Sequence, residues 1–257
     1  MRFTLPKPLH GWRAFAGEVG IVVLGVVIAL AANAFVDELQ WRQKVSHAEA
    51  AMRLELGVDD GPQAYGRLAV ANCLDQRIGR IFQGAGHAPT DELRGWINDY
   101  APPVRTWDTE AWKAVLASDI GSHMGAERLI DWSAPYRLVP WISERNQYEG
   151  QVVTQLHAAL PALGEASPSE RQAVRQYAAD LSVTNAKMLT GSKLLLGRIK
   201  RVGVQIPQPT ERDLLATARR MYGPCVQDPD AVAQSAQSLM PDLRNNSWDS
   251  LVSAPGQ

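Results

Sequence analysis

A run of eighteen residues, 19–36, constrains the fold more than any other feature of this chain. Its side chains are apolar or small throughout, and Asn33 is its one clearly polar residue. As an α-helix the run would be about 27 Å long, close to the ~30 Å hydrocarbon core of a bilayer. Because the helix would be apolar on every face, it is unlike the amphipathic surface helix of a soluble domain. The sequence therefore predicts a transmembrane helix over 19–36.

Two fates of this segment are open. Ala32-Asn33-Ala34 matches the small-x-small pattern of a signal peptidase site, so cleavage after Ala34 is the competing interpretation. Against it, the segment before the run is long, and the chain beyond Ala34 continues without a turn residue until Gly57. Trp12 and Trp41 lie before and after the run, where indole rings favour the headgroup boundary. We expect an uncleaved signal anchor that follows a short cytoplasmic tail, 1–18.

Basic residues around the run indicate its orientation. Arg2, Lys7 and Arg13 precede it, whereas Arg42 and Lys44 follow it. Lysine and arginine are enriched on the cytoplasmic side of membrane spans, and a large C-terminal domain crosses largely regardless of its charge. The expected location is the bacterial inner membrane, crossed once, with the C-terminal domain in the periplasm.

The charge of the remaining chain excludes one class of partner. Residues 37–257 carry 23 basic and 26 acidic side chains, a formal net charge of −3. Binding to phosphate backbones relies on clustered Lys and Arg, so no nucleic acid partner is expected. The whole chain is 46% hydrophobic, which is enough for a folded domain of about 220 residues.

Helical spacing of apolar residues predicts an all-α protein in which the membrane helix is followed by an extracytoplasmic helical bundle. The expected divisions are a helical stalk over 37–60, ended by the glycines and Pro62 of segment 57–62, a bundle over 61–225 and a weakly structured tail over 226–257. Pro135 and Pro140 predict a break within 125–163. The clearest helix starts at Ser167, where a capping box with Glu170 is expected, and runs to Gly203.

The two cysteines form a candidate disulfide. Cys73 lies on an apolar helical stripe, and Cys225 follows a helix that should also pack inward. In an oxidising compartment a bond between them would close a loop of about 150 residues. The alternative is two free, buried thiols. Neither cysteine lies in a metal-binding or redox motif, so no metal role is expected.

Catalytic motifs are absent from the sequence. Zinc-protease, nucleophile-elbow, phosphate-loop and dinucleotide patterns are all missing, which predicts a protein that is not an enzyme and needs no cofactor. Asp119 and His123, four residues apart, are better explained as a capping or solvated pair than as an acid and base. The tryptophans within 96–141 are expected to be core residues rather than the lining of a ligand groove.

Small residues follow one face of the predicted span. Gly25 and Ala29 are four residues apart, and Ala32 extends the same face by a further turn. Such spacing lets membrane helices approach closely. These three residues are candidates for packing between spans in a homo-oligomer.

The segment 17–30, Gly-Glu-Val-Gly-Ile-Val-Val-Leu-Gly-Val-Val-Ile-Ala-Leu, is followed by Trp-Arg-Gln at 41–43. Together they resemble the opening of a family of uncharacterised single-pass membrane proteins from proteobacteria. The tripeptides Cys-Leu-Asp at 73–75 and Thr-Trp-Asp at 106–108 are similar to later positions of that family. The resemblance implies an inner-membrane protein with a mostly helical extracytoplasmic domain, and it brings no catalytic residues.

Two functions fit these observations. The first is a membrane-tethered, non-catalytic interaction or scaffold module that binds a protein of the cell envelope. The second is an extracytoplasmic ligand-binding or sensor bundle that acts through a partner protein, because helical bundles can house ligands between their helices.

Overall fold

The computed structural model describes residues 12–232, apart from the side chains of Arg13 and Ala14. This part of the chain is helical and contains no strand, which confirms the all-α prediction. Its helices are α1 (Trp12–Leu54), a π-helical segment (Glu55–Asp60), α2 (Gly61–Gly84), α3 (Thr90–Asp99), α4 (Glu110–Leu116), α5 (Ile120–His123), α6 (Ala126–Tyr136), α7 (Val139–Ala158), α8 (Pro168–Arg201) and α9 (Gln208–Tyr222). The predicted tails 1–18 and 226–257 lie partly outside the described residues.

The first three of these elements form one continuous helix. Its N-terminal part is long and apolar enough to cross a membrane, and none of that part is buried against the rest of the chain. The segment predicted as a stalk, 37–60, is helical, but its second half is not a free rod. Val45, Met52 and Leu56 are buried in the domain core, so packing already begins at Val45.

The predicted end of this helix at 57–62 is wrong. Leu54 and Gly61 keep right-handed helical backbone angles, and the Gly61 N–H donates to the Leu56 carbonyl, which gives a wider π turn. Pro62 lies in the first turn of α2, where its missing N–H is tolerated. The glycines have a packing role instead, since a Cβ on Gly57 would lie 3.2 Å from the Gln205 carbonyl oxygen. They allow the segment after α8 to pass close to the helix.

Helix α2 is the centre of the domain and packs mainly against α8, with α9 and α3 on its other sides. The residues of α2 share one apolar core with α3, α7, α8 and α9, which includes Leu74, Ile81, Leu156 and Leu181. A second core joins the C-terminal part of α1 to α6, α7 and α8. It contains Met52, Trp132, Ile142 and Leu195. The bundle therefore has two adjoining cores along one long helix.

Three predictions from local sequence are confirmed. The Ser167 hydroxyl accepts a hydrogen bond from the Glu170 N–H while the Glu170 carboxylate accepts from the Ser167 N–H, which is the expected capping box at the start of α8. Gly203, with φ of +74°, follows the end of that helix. Between α6 and α7 the chain breaks, with Pro135 near the end of one helix and Pro140 in the first turn of the next.

The tryptophans of 96–141 occupy core or core-facing positions, as expected, but Trp96 also lines a cleft at the surface. Trp132 is buried, and the others are partly buried against the two cores; these are Trp96, Trp107, Trp112 and Trp141.

Candidate binding cleft beside the disulfide

Cys73 and Cys225 are bonded to each other. Their Cα atoms are 5.2 Å apart, and the bond joins positions separated by 152 residues, in the middle of α2 and just after α9. The candidate disulfide is therefore present in the structure, and the alternative of two free thiols is not. Cys73 is fully buried, whereas Cys225 is partly exposed.

A cleft of about 310 Å³ opens beside this bond, between α2 and the C-terminal ends of α3 and α9. Both cysteines form part of its wall. The other residues around it are Gln76, Arg77, Arg80, Trp96, Asp99, Tyr222 and Pro224. We call this site the disulfide cleft.

Arg77 is held on one side of the disulfide cleft by two helix ends. Its guanidinium donates to the carbonyl oxygen of Asp99, at 2.7 Å, and to that of Met221, at 3.4 Å. These carbonyls lie in the last turns of α3 and α9, where the helix dipole favours a cation. The same guanidinium lies 5.0 Å from the ring centre of Tyr222. Arg77 therefore ties three helices together while its charge remains at the cleft.

Arg80 and Trp96 form the opposite side. The Arg80 guanidinium lies 5.9 Å from the Trp96 ring centre, at the outer limit of a cation–π contact. Arg80 is exposed and makes no hydrogen bond or ion pair with residues 12–232. The Trp96 ring lies so close to Gly84 that no Cβ fits there. This contact places the indole at the edge of the cleft.

The phenol of Tyr222 is also fixed. Its hydroxyl donates to the Ala101 carbonyl at 2.6 Å. Burial raises the pKa of Tyr222 above its ordinary value, so the phenol stays neutral. The cleft thus combines two guanidinium groups, one carboxylate at Asp99 and two aromatic rings. This combination is suited to binding a small anion with a flat apolar part.

A second group of polar residues lies in the interior and has a structural role. Arg67 and Glu149 form a buried bidentate ion pair, with N–O distances of 2.9 and 2.7 Å. Arg67 also donates to the Asn185 side-chain oxygen, and the Asn185 amide donates to the Ala71 carbonyl. The pair joins α2 to α7, Asn185 adds α8, and neither charged group is exposed to solvent.

The π-helical segment supplies two carboxylates that accept from the start of α4. Asp60 accepts from the Asp108 N–H at 3.2 Å, and Glu55 accepts from the Ala111 N–H at 2.9 Å. Burial, reinforced by the nearby Glu55 charge, raises the pKa of Asp60 to about 7 even though the Asp108 N–H lowers it. These acids anchor the loop before α4. Residues 12–232 contain no cluster of His, Cys, Asp and Glu that could hold a metal ion.

The other residues singled out from the sequence lie outside the disulfide cleft. Gly25, Ala29 and Ala32 lie on the exposed apolar part of α1, and a Cβ on Gly25 would meet no atom within 4 Å. Their role in packing between spans stays a prediction. His123 stacks on Trp41, with ring centres 3.9 Å apart.

Sequence reasoning found the two cysteines of the disulfide cleft, as a candidate bond, and missed the cleft itself. Cys73, Arg77 and Arg80 are spaced four and three residues apart, which places them on one face of α2. That spacing was an available signal. No spacing in the sequence links Trp96 and Tyr222 to these residues, because they belong to other helices.

No family model matches this chain, and no curated protein or solved structure matches it either.

Proposed function

We propose that this protein is a single-pass protein of the bacterial inner membrane whose periplasmic helical domain is a non-catalytic interaction or scaffold module. The observation that carries the proposal is the continuity of α1, the π-helical segment and α2. An exposed apolar helix long enough to span a bilayer runs without interruption into the central helix of the domain. A domain joined in this way is held at a set height and orientation above the membrane, which suits a scaffold.

The resemblance of residues 17–30 to a family of proteobacterial membrane proteins supports the same location. The Cys73–Cys225 bond supports an extracytoplasmic domain, because disulfides persist mainly in oxidising compartments. Cleavage after Ala34 remains the competing fate of the N-terminus, and the intact mass of the purified protein distinguishes the two.

Membrane anchoring is tested by paired lysine substitutions on the same helix. Leu24→Lys with Ile28→Lys places two charges in the span, at a cost of about 3 kcal/mol each near its centre. Leu54→Lys with Val58→Lys is the matched control, since both side chains are exposed on the continuous helix beyond the span. We expect the first pair, but not the second, to release the protein from membranes washed with urea at neutral pH, where the lysines are charged. Release of the unmodified protein would contradict the proposal.

The interaction role is tested by crosslinking in cells followed by purification of the full-length protein in mild detergent. A chain that lacks residues 1–36 is the control. We expect one envelope protein to be recovered in stoichiometric amount with the full-length chain only. Recovery of this protein alone would argue against a scaffold and for self-assembly or ligand binding.

The disulfide cleft favours the second function, binding of a small ligand by the periplasmic domain. Its two guanidinium groups outnumber the single carboxylate, so we expect an anionic ligand. A ligand that binds only the folded state raises the melting temperature. Benzoate, 4-hydroxybenzoate and indole-3-acetate are suitable probes, and benzyl alcohol is the uncharged control.

Arginine variants make this test specific. Arg80→Ala removes the guanidinium that has no hydrogen bond within the described chain, and we expect it to abolish the rise in melting temperature. Arg175→Ala is the matched control, because Arg175 makes a similar contact with the Phe82 ring, at 5.0 Å, outside the cleft. No shift with any of the three anions, or an equal shift in Arg80→Ala, would exclude this function for the cleft.

A further inference from the structure

A second cavity, of about 190 Å³, lies where the continuous helix leaves the predicted span. Its α1 wall begins at Glu38, two residues after the span ends. Trp41, five residues beyond the end, is about 7.5 Å further along the helix axis. The headgroup layer of a bilayer is about 5–8 Å thick on each side. The part of this cavity nearest the span, from Glu38 to Trp41, therefore lies at headgroup depth if the helix spans the membrane as proposed.

The lining of the cavity carries charges of both signs. Among the lining residues Arg42 and Arg128 are matched by Glu38 and Glu49, and His123 is the remaining titratable group. Two further cations lie beside the lining, Lys44 over the Trp41 ring and Arg53 next to Glu49. Arg42 lies 2.7 Å from Glu38, and Arg128 lies 3.2 Å from Glu49. A site for a simple anion would have an excess of cations. The two carboxylates in the lining, beside the two guanidinium groups, instead match a ligand that carries a phosphate and an ammonium together.

Exchange of partners at these ion pairs costs little free energy. Both arginines are largely exposed, and exposed ion pairs contribute only about 0–1 kcal/mol. A zwitterion that places its phosphate on Arg42 and Arg128 and its ammonium on Glu49 replaces both ion pairs with new ones, and the exposed Glu38 carboxylate is left in solvent. Glu49 is the most buried of the four charged residues, with 12% of its side chain exposed, and it also lies 3.7 Å from Arg53.

The cavity also has a rigid aromatic wall. Trp41 is stacked on His123 at an interplanar angle of 9°, and the Lys44 ammonium lies 4.1 Å from the Trp41 ring centre. Indole rings favour the headgroup region because they combine an apolar ring with an N–H donor. The stack on His123 fixes the domain against the helix at this depth.

From this geometry we propose that the membrane-proximal cavity binds the headgroup of a zwitterionic phospholipid, phosphatidylethanolamine. The phosphate pairs with Arg42 and Arg128, and the ammonium pairs with Glu49. The assignment depends on the membrane location in the proposed function, which supplies this lipid in the plane of the cavity.

The test is native mass spectrometry of the full-length protein in detergent with an equimolar mixture of phosphatidylethanolamine and phosphatidylglycerol. We expect bound phosphatidylethanolamine to predominate. Arg128→Ala should reduce its binding up to about fivefold, as for loss of one exposed ion pair. Arg212→Ala, an exposed arginine on α9, is the control and should leave binding unchanged.

A second variant separates recognition of the two charges. Glu49→Gln removes the partner of the ammonium and frees two arginines, so we expect the preference to shift to phosphatidylglycerol. Equal binding of both lipids by the unmodified protein, or binding unaffected by Arg128→Ala, would overturn the proposal. Membrane extraction is measured separately, so a failure of anchoring is distinguished from a failure of lipid recognition.

Discussion

At the scale of single residues, the interior polar groups do the most to specify how the helices assemble. The Arg67–Glu149 pair is buried, and its hydrogen bonds are made within the pair and with Asn185 and Asn146. The Nε of Arg67 is buried without a partner in the described part of the chain. A buried ion pair contributes little net stability compared with apolar residues, but loss of one partner leaves an uncompensated charge. The pair therefore acts against any packing in which α2 and α7 are out of register.

We predict that Glu149→Leu destabilises the domain by about 3–5 kcal/mol, because the Arg67 charge would be left buried without a partner. The double variant Glu149→Leu with Arg67→Met should recover most of this loss, since neither charge remains. Chemical denaturation followed by circular dichroism measures both. A double variant as unstable as the single one would show that packing, not charge, dominates.

Asp60 predicts a dependence of stability on pH. Its pKa is about 7 in the folded protein and near 3.8 in the unfolded chain, so the folded state binds the extra proton between these values. Stability from this group is therefore greatest below about pH 4 and falls as the pH rises to about 7. We expect Asp60→Asn to flatten this dependence and to be more stable than the unmodified protein at pH 8, in denaturant titrations at pH 5 and 8. A parallel loss in both proteins would assign the dependence to other groups.

At the scale of elements, Gly57, Gly61 and Gly84 mark places where neighbouring segments touch, whereas Gly203, with a positive φ, follows the end of a helix. Gly57 and Gly61 allow the segment after α8 to approach the continuous helix, and Gly84 allows the Trp96 ring to lie on α2. A sequence pattern treats such glycines as helix breakers because it lacks the neighbouring chain. In this protein the close approach, not the backbone freedom of glycine, explains them.

Gly84→Ala is predicted to destabilise the domain by about 1–3 kcal/mol, because the added Cβ would displace Trp96. Gly79→Ala is the matched control on the same helix, where a Cβ meets no atom within 4 Å. That substitution should be neutral or stabilising by up to about 1 kcal/mol, since alanine favours helix. Thermal unfolding of both variants makes the comparison. Equal effects would argue against the contact with Trp96.

At the scale of the whole molecule, one helix runs from the predicted span through both cores, and one disulfide ties its middle to the end of α9. The disulfide cleft and the membrane-proximal cavity lie towards opposite ends of the domain part of this helix. The two candidate sites therefore lie along one continuous helix.

Removal of the disulfide is predicted to destabilise the domain by up to about 5 kcal/mol, the chain-entropy value for a loop of this length. The variant Cys73→Ala with Cys225→Ala measures it by chemical denaturation in detergent. Addition of a reductant should lower the stability of the unmodified protein and leave the double variant unchanged. Equal sensitivity of both proteins to reductant would contradict this.

The sequence by itself determined the features that depend on nearby residues. The apolar run 19–36, the capping box at Ser167 and the break between Pro135 and Pro140 follow from local propensity and hydrogen bonding, which act within a few residues. The tertiary structure alone decided the continuity of the helix through Gly57–Pro62, the Arg67–Glu149 pair and the meeting of Arg80 with Trp96. Each of these depends on contact between segments far apart in the chain. The pairing of Cys73 with Cys225 lies between the two cases, since two cysteines allow one bond but only the fold brings them within reach.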